Sequence, residues 1–193
     1  MLYKLALIEQ KIGNKNKAVE LFTRALIFNP NHAESYNCLG VVLQELGELD
    51  KAVKSYRKAL DINSDYAVAY CNLGAALKEL GKLDDAVTSY QKALRIDPDY
   101  AGAYYNLGNT LRRLGKPDEA VDSYRKALEI NPNDAKAHTS LGFSLQALGE
   151  LDKAIESHKK AIQLKPNYAL AHLNLSLALL SLGNFEEQSV MWN

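Results

Sequence analysis

Apolar residues recur along this chain at two helical spacings. With Ala33 taken as position 1 of a 34-residue block, leucine falls at position 7 in every block: Leu5, Leu39, Leu73, Leu107, Leu141 and Leu175. Apolar residues also recur at positions 11 and 14. Positions 7, 11 and 14 lie on one face of a helix. A second stripe runs through positions 20, 21, 24, 27 and 28, as in Ala52, Val53, Tyr56, Ala59 and Leu60. Each block therefore predicts two amphipathic helices, A and then B. Four complete blocks (33–66, 67–100, 101–134 and 135–168) follow one another without insertion, flanked by partial blocks at 1–32 and 169–193.

Punctuation residues mark the predicted helix ends. Position 15 is Gly13, Gly47, Gly81, Gly115, Gly149 and Gly183. A glycine just past a helix takes the left-handed conformation that ends it. Position 18 is Asn16, Asp50, Asp84, Asp118 and Asp152, suited to the start of helix B by capping or through the helix dipole. Pro117 falls where a first-turn proline is tolerated. Pro30, Pro98, Pro132 and Pro166 stop helix B. At position 8, Gly40, Gly74, Gly108 and Gly142 let helices A and B approach closely.

A 34-residue period with small residues at 8, 20 and 27, aromatics at 4 and 24, and proline at 32 resembles the tetratricopeptide repeat (TPR). The resemblance covers nearly the whole chain as a single array. It implies an all-α fold, a right-handed superhelix (α-solenoid) of about six helix-turn-helix units, with A helices lining a concave groove. One helix pair cannot bury its own stripe, so neighbours must stack. Within the TPR group, the units look most like the arrays of O-linked N-acetylglucosamine transferases and of bacterial TPR–glycosyltransferase fusions.

Composition narrows the function. The chain has 193 residues, enough for a sizeable core, and its 23 Lys plus Arg balance 23 Asp plus Glu. Nucleic-acid binding draws on a basic excess, which is missing here. The N-terminal apolar stretch is broken by Glu9 and Lys11, unlike a secretory signal, and no run suits a bilayer span. The two cysteines, Cys38 and Cys71, have no disulfide-scaffold spacing. A cytoplasmic setting is expected, and the glycosylation triplet at Asn174 falls inside a predicted helix. No phosphate loop, HExxH, CxxC pair or GxSxG elbow is present. The expectation is a protein without catalytic residues, cofactor or metal. His138, His158 and His172 replace aromatics at positions 4 or 24 and are expected near one another and at least partly buried.

Subtracting the repeat leaves the candidate site. Ten of eleven glycines and nine of eleven tyrosines occupy repeat positions, which leaves Gly102, Tyr3 and Tyr105. Positions 2, 5, 9 and 12 face the groove by resemblance, bringing in Asn37, Tyr105 and Asn109. Tyr105 beside the Gly102 gap suits a pocket for a partner side chain. Position 6 carries Asn72, Asn106 and Asn174, interrupted by Cys38 and Ser140. A primary amide complements a peptide unit. Helices roughly 8–10 Å apart would meet about every third residue of an extended ligand. The transferase arrays that the chain resembles carry such an asparagine ladder. Lys78, Arg112, Arg113 and Lys116 form a basic group at mid-array, with Glu45 and Glu48 towards the N-terminus. An acidic partner segment fits that group, as does a plain solvated face. The carboxylate clamp of chaperone-binding TPR modules is not expected, because only Lys136 and Lys4 are basic at its positions.

Three functions remain open: a protein- or peptide-binding adaptor, the recognition arm of a larger enzyme such as a glycosyltransferase, and a self-associating scaffold. The third draws on the last block, where positions 2, 5, 9 and 12 are all leucine: Leu170, Leu173, Leu177 and Leu180. Position 20 there is Gln188 instead of alanine, and no polar capping helix follows. This face is expected to pack on a second copy or on another domain.

Overall fold

The 34-residue rhythm folds, in a computed structural model, into helices and turns alone among the described residues. The structure describes residues 1–191, with side chains up to Gly183. A and B helices alternate: α1 (Leu2–Lys11), α2 (Lys15–Phe28), α3 (Ala33–Glu45), α4 (Leu49–Ile62), α5 (Ala67–Glu79), α6 (Leu83–Ile96), α7 (Ala101–Arg113), α8 (Pro117–Ile130), α9 (Ala135–Ala147), α10 (Leu151–Leu164) and α11 (Ala169–Met191). They group into two compact halves, Met1–Pro98 and Asp99–Asn193.

Within each half the stacking rule is the same. Every A helix packs on its own B helix, and every B helix packs on the next A helix. A helices also touch one another (α1 with α3, α3 with α5, α7 with α9, α9 with α11), whereas no two B helices do among the described residues. Each half therefore curves with its A helices on the inner side.

The helix ends follow local chemistry. Five glycines, Gly13, Gly47, Gly81, Gly115 and Gly149, have φ between 75° and 88° and close the A-to-B turn. Gly183 does not. Helix α11 runs through it without a turn, so the second helix expected in the last block is absent from the described backbone. Gln188 lies outside the described side chains. Position 18 acts through the dipole rather than as a cap. Asp50, Asp84, Asp118 and Asp152 sit in the first turns of α4, α6, α8 and α10, after N-caps whose side chains make no capping bond. Proline is not needed to stop helix B, because α4 ends at Ile62 although Ser64 stands at position 32.

The close A–B approach has a specific filler. A Cβ built on Gly40, Gly74, Gly108 or Gly142 would lie 2.6, 2.8, 2.7 or 2.5 Å from the ring of Tyr56, Tyr90, Tyr124 or His158, respectively. The position-24 ring thus lies flat on bare backbone, and its polar tip reaches over helix A. Tyr56 donates to Gln44 Oε1 (3.0 Å), Tyr124 to Asn109 Oδ1 (3.0 Å) and His158 Nε2–H to Gln146 Oε1 (3.1 Å).

Small residues missed by the leucine stripe are the most buried of all. Ser35, Ala69, Ala103, Ala137 and Ala171 at position 3, and Val42, Ala76, Thr110, Ser144 and Ala178 at position 10, are almost wholly inaccessible. Leu5, counted with the core stripe, is instead exposed.

Candidate functional site

The inner face of each half is built from positions 2, 5, 6, 9 and 12 of its A helices, and the two halves use it differently. In the N-terminal half, position 5 is open only in α1, where Tyr3 lines a pocket with Phe28 and His32. Asn37 is buried where α3 meets α5, and Cys71 on α5 is buried as well. Asn72, at position 6 of α5, donates its Nδ2–H to Asn37 Oδ1 at 3.0 Å. This first pair of the amide series is therefore closed on itself. Further along, Gln44 Nε2–H donates to Glu79 Oε1 at 2.6 Å while its own Oε1 receives Tyr56. Glu45 pairs with Lys15 at 3.3 Å and Glu48 with Lys51. Lys78 is half-buried in this half and is engaged.

In the C-terminal half, Tyr105 is half-buried and leans on the ring of Tyr124 at 6.0 Å. The expected gap at Gly102 is bounded by Tyr100, 3.2 Å from where a Cβ would stand. Asn106 is half-buried. Asn109 is committed to the Tyr124 hydroxyl. Burial pushes the Tyr124 phenol up, and the Arg112 guanidinium beside it partly offsets that. Arg113 is exposed and engaged, and Lys116 pairs with Glu119 at 3.2 Å.

The opening lies one repeat beyond the place expected. A pocket of about 240 Å³ is lined by Arg112, Thr139, Ser140, Phe143, Leu170 and Asn174. The Arg112 guanidinium stands 5.0 Å from the centre of the Phe143 ring, a cation–π contact that holds its orientation. No carboxylate pairs with Arg112 among the described residues, whereas Lys116 just before α8 and Arg125 and Lys126 on it each have one. Asn174 is only 6% exposed, yet its amide makes no hydrogen bond among the described residues. The position-5 residue of the preceding A helix, Thr139, has turned its hydroxyl back to the carbonyl of Ala135 (2.9 Å) and offers the amide no donor. Sequence reasoning found Arg112 and Asn174 but not Phe143 or Thr139. Their signal was there: an aromatic at groove position 9 and a helix-bonding hydroxyl at position 5.

The three histidines stand apart in role. His138 and His172 direct Nε2 at the carbonyls of Pro132 (2.9 Å) and Pro166 (2.7 Å). His172 is exposed, contrary to expectation, and only His158 is fully buried. Burial holds the His158 imidazole below its usual range, and its Nδ1 has no partner. Among the described residues no three His, Cys, Asp or Glu side chains are arranged to hold a metal. No described helix is long and apolar enough to cross a membrane. On α11, Leu170, Leu173, Leu177 and Leu180 are all about half exposed or more, Leu173 at 57% and Leu180 at 65%.

Comparison with known proteins agrees with this architecture. A TPR repeat family profile matches residues 43–81, 76–115 and 144–183, and other tetratricopeptide repeat profiles match 1–32, 21–54, 101–134 and 123–156. The chain belongs to the tetratricopeptide repeat family. Among solved structures it is similar to MamA (27% identity, TM-score 0.79, covering 85% of this chain and 96% of that one). It is also similar to YrrB, described as a TPR protein with an unusual peptide-binding site (30% identity, TM-score 0.75, covering 86% of each chain). The fold is shared as well with PilF of Pseudomonas aeruginosa (24% identity, TM-score 0.79, covering 95% of this chain and 90% of that one). No curated protein matches the chain. These relatives are TPR proteins and do not single out the transferase arrays.

Proposed function

We propose that this chain is a non-catalytic scaffold that holds an extended protein or peptide segment along the inner face of its A helices. The observation that carries the reading is the polar lining of that face, above all an amide at Asn174 with no protein hydrogen-bond partner and the Arg112 guanidinium, held against Phe143 with no carboxylate paired to it among the described residues. The peptide-binding site ascribed to YrrB, the relative with 30% identity, supports it. A displayed random-peptide library panned against the chain tests it. Selected peptides should bind the Tyr105→Ala, Asn106→Ala variant more weakly at unchanged helical content. They should bind a Lys54→Glu, Lys159→Glu variant, altered on the B helices, as well as the parent. Enrichment of nothing, or loss only with the B-helix changes, would overturn the reading.

A second reading rests on the leucine face of α11. Leu170, Leu173, Leu177 and Leu180 follow a 3-4-3 spacing, and no charged residue lies between Ala169 and Gly183. Two copies could therefore pair along this seam without burying an unpaired charge. Light scattering should then show a dimer at micromolar concentration and a monomer for Leu173→Glu, Leu177→Glu. A monomer throughout removes this reading. The likeness of the repeats to glycosyltransferase arrays supports a third, the recognition arm of a larger enzyme, which the length of the native polypeptide in its source cell would test.

A further inference from the structure

The pocket between α7, α9 and α11 contains one cation, one unpartnered amide and two exposed apolar side chains. We propose that it seats two adjacent residues of an extended partner segment, one aliphatic and one acidic. The inference rests on the scaffold reading and specifies what the C-terminal half of that face selects.

Each part of the ligand follows from one part of the pocket. Phe143 and Leu170 are 45% and 49% exposed and offer the apolar contact. Asn174 carries both a donor and an acceptor, the complement of a peptide N–H and C=O. Its polar atoms open onto the pocket, so a ligand that answers both replaces water there with two directed bonds. Arg112 is the only charged residue in the lining. Its single positive charge balances one carboxylate. A phosphate, carrying nearly two negative charges, would be left under-neutralised. The planar guanidinium also matches a carboxylate in a two-bond fork. Size decides the conformation. About 240 Å³ equals the liquid volume of roughly eight waters. That admits one aliphatic side chain and its peptide unit, but not a helix about 10–12 Å across.

Titration of the ¹⁵N-labelled chain by nuclear magnetic resonance tests the assignment. The probes are acetyl-Gly-Leu-Asp-Gly-amide, acetyl-Gly-Asp-Leu-Gly-amide and their counterparts with Asn in place of Asp. At least one acidic peptide should shift the Asn174 side-chain amide and the Arg112 Nε–H signals saturably at millimolar concentration. Its Asn counterpart should bind about tenfold more weakly. Arg112→Gln should erase that difference, and Asn174→Ala should weaken all four peptides; the same spectra report whether each variant is folded. Equal affinity for acidic and amide peptides, or no movement at Asn174, would overturn the proposal. If the acidic peptides fail while library-selected peptides still depend on Tyr105 and Asn106, the seat is wrong and the scaffold reading stands. If neither set binds, both fall.

Discussion

Asn72 and Asn174 occupy the same repeat position in the two halves of the molecule, and their surroundings put them to opposite uses. Asn72 meets a second amide, Asn37, and the two bond to each other at 3.0 Å. Asn174 meets Thr139, whose hydroxyl is already bonded to its own helix. The identity of one residue at position 5 thus decides whether an amide becomes part of the scaffold or part of a site. A repeat can keep its frame and still vary its chemistry, because positions 5 and 6 lie beside the core stripe rather than in it.

The largest effect should come from removing the frame that supports the open side. Gly108→Leu pushes a side chain into Tyr124 and should cost roughly 1–3 kcal/mol or more. Amide hydrogen exchange should show protection falling first in α7 and α8. An unchanged melting temperature would mean that the ring does not lie on Gly108.

The next effect concerns His158, which stands in the C-terminal half where other repeats place tyrosine or phenylalanine. Its folded-state pKa lies below the unfolded value of 6.5 because burial disfavours the cation. Above pH 6.5 both states are neutral and nothing is lost. As pH falls below that value the unfolded chain binds the proton first, and stability drops by up to about 1.4 kcal/mol per pH unit until the folded imidazole also protonates. His158→Tyr should abolish this acid sensitivity without loss at neutral pH, since Tyr56 already donates to Gln44 at the position matching Gln146. Denaturant melts at pH 7 and pH 5 would show it, and an acid slope that persists in the variant would assign the effect elsewhere.

The smallest effect sharpens the comparison most. Asn72→Ala strands the buried Asn37 carbonyl and should cost about 1 kcal/mol. Asn174→Ala removes an amide that bonds nothing in the free protein and should change stability by less than about 0.5 kcal/mol. Chemical denaturation of the two variants gives both numbers. Equal costs would mean that Asn174 has a partner in solution and that its pocket is closed.

Much of this molecule was legible from one chain of letters. The 34-residue period, the five positive-φ glycines, the first-turn acids and the glycine–aromatic contact all follow from local rules, because helix periodicity and turn geometry act within a few residues. The same rules failed at Gly183, which sits in an unbroken α11. A glycine permits a turn, but the following helix must pack back for the turn to form. Tertiary structure alone decided which polar side chains are spent. Ser35, Thr110 and Ser144 lie off the leucine stripe, yet stacking buries them. Asn37 read as a groove residue, yet the next A helix covers it. Hydrogen-bond pairing across neighbouring repeats depends on rotamers and helix separation, which no spacing in the sequence records. The repeat therefore determined where the amides stand, and the packing of α9 against α11 decided that Asn174 is the one left facing a pocket.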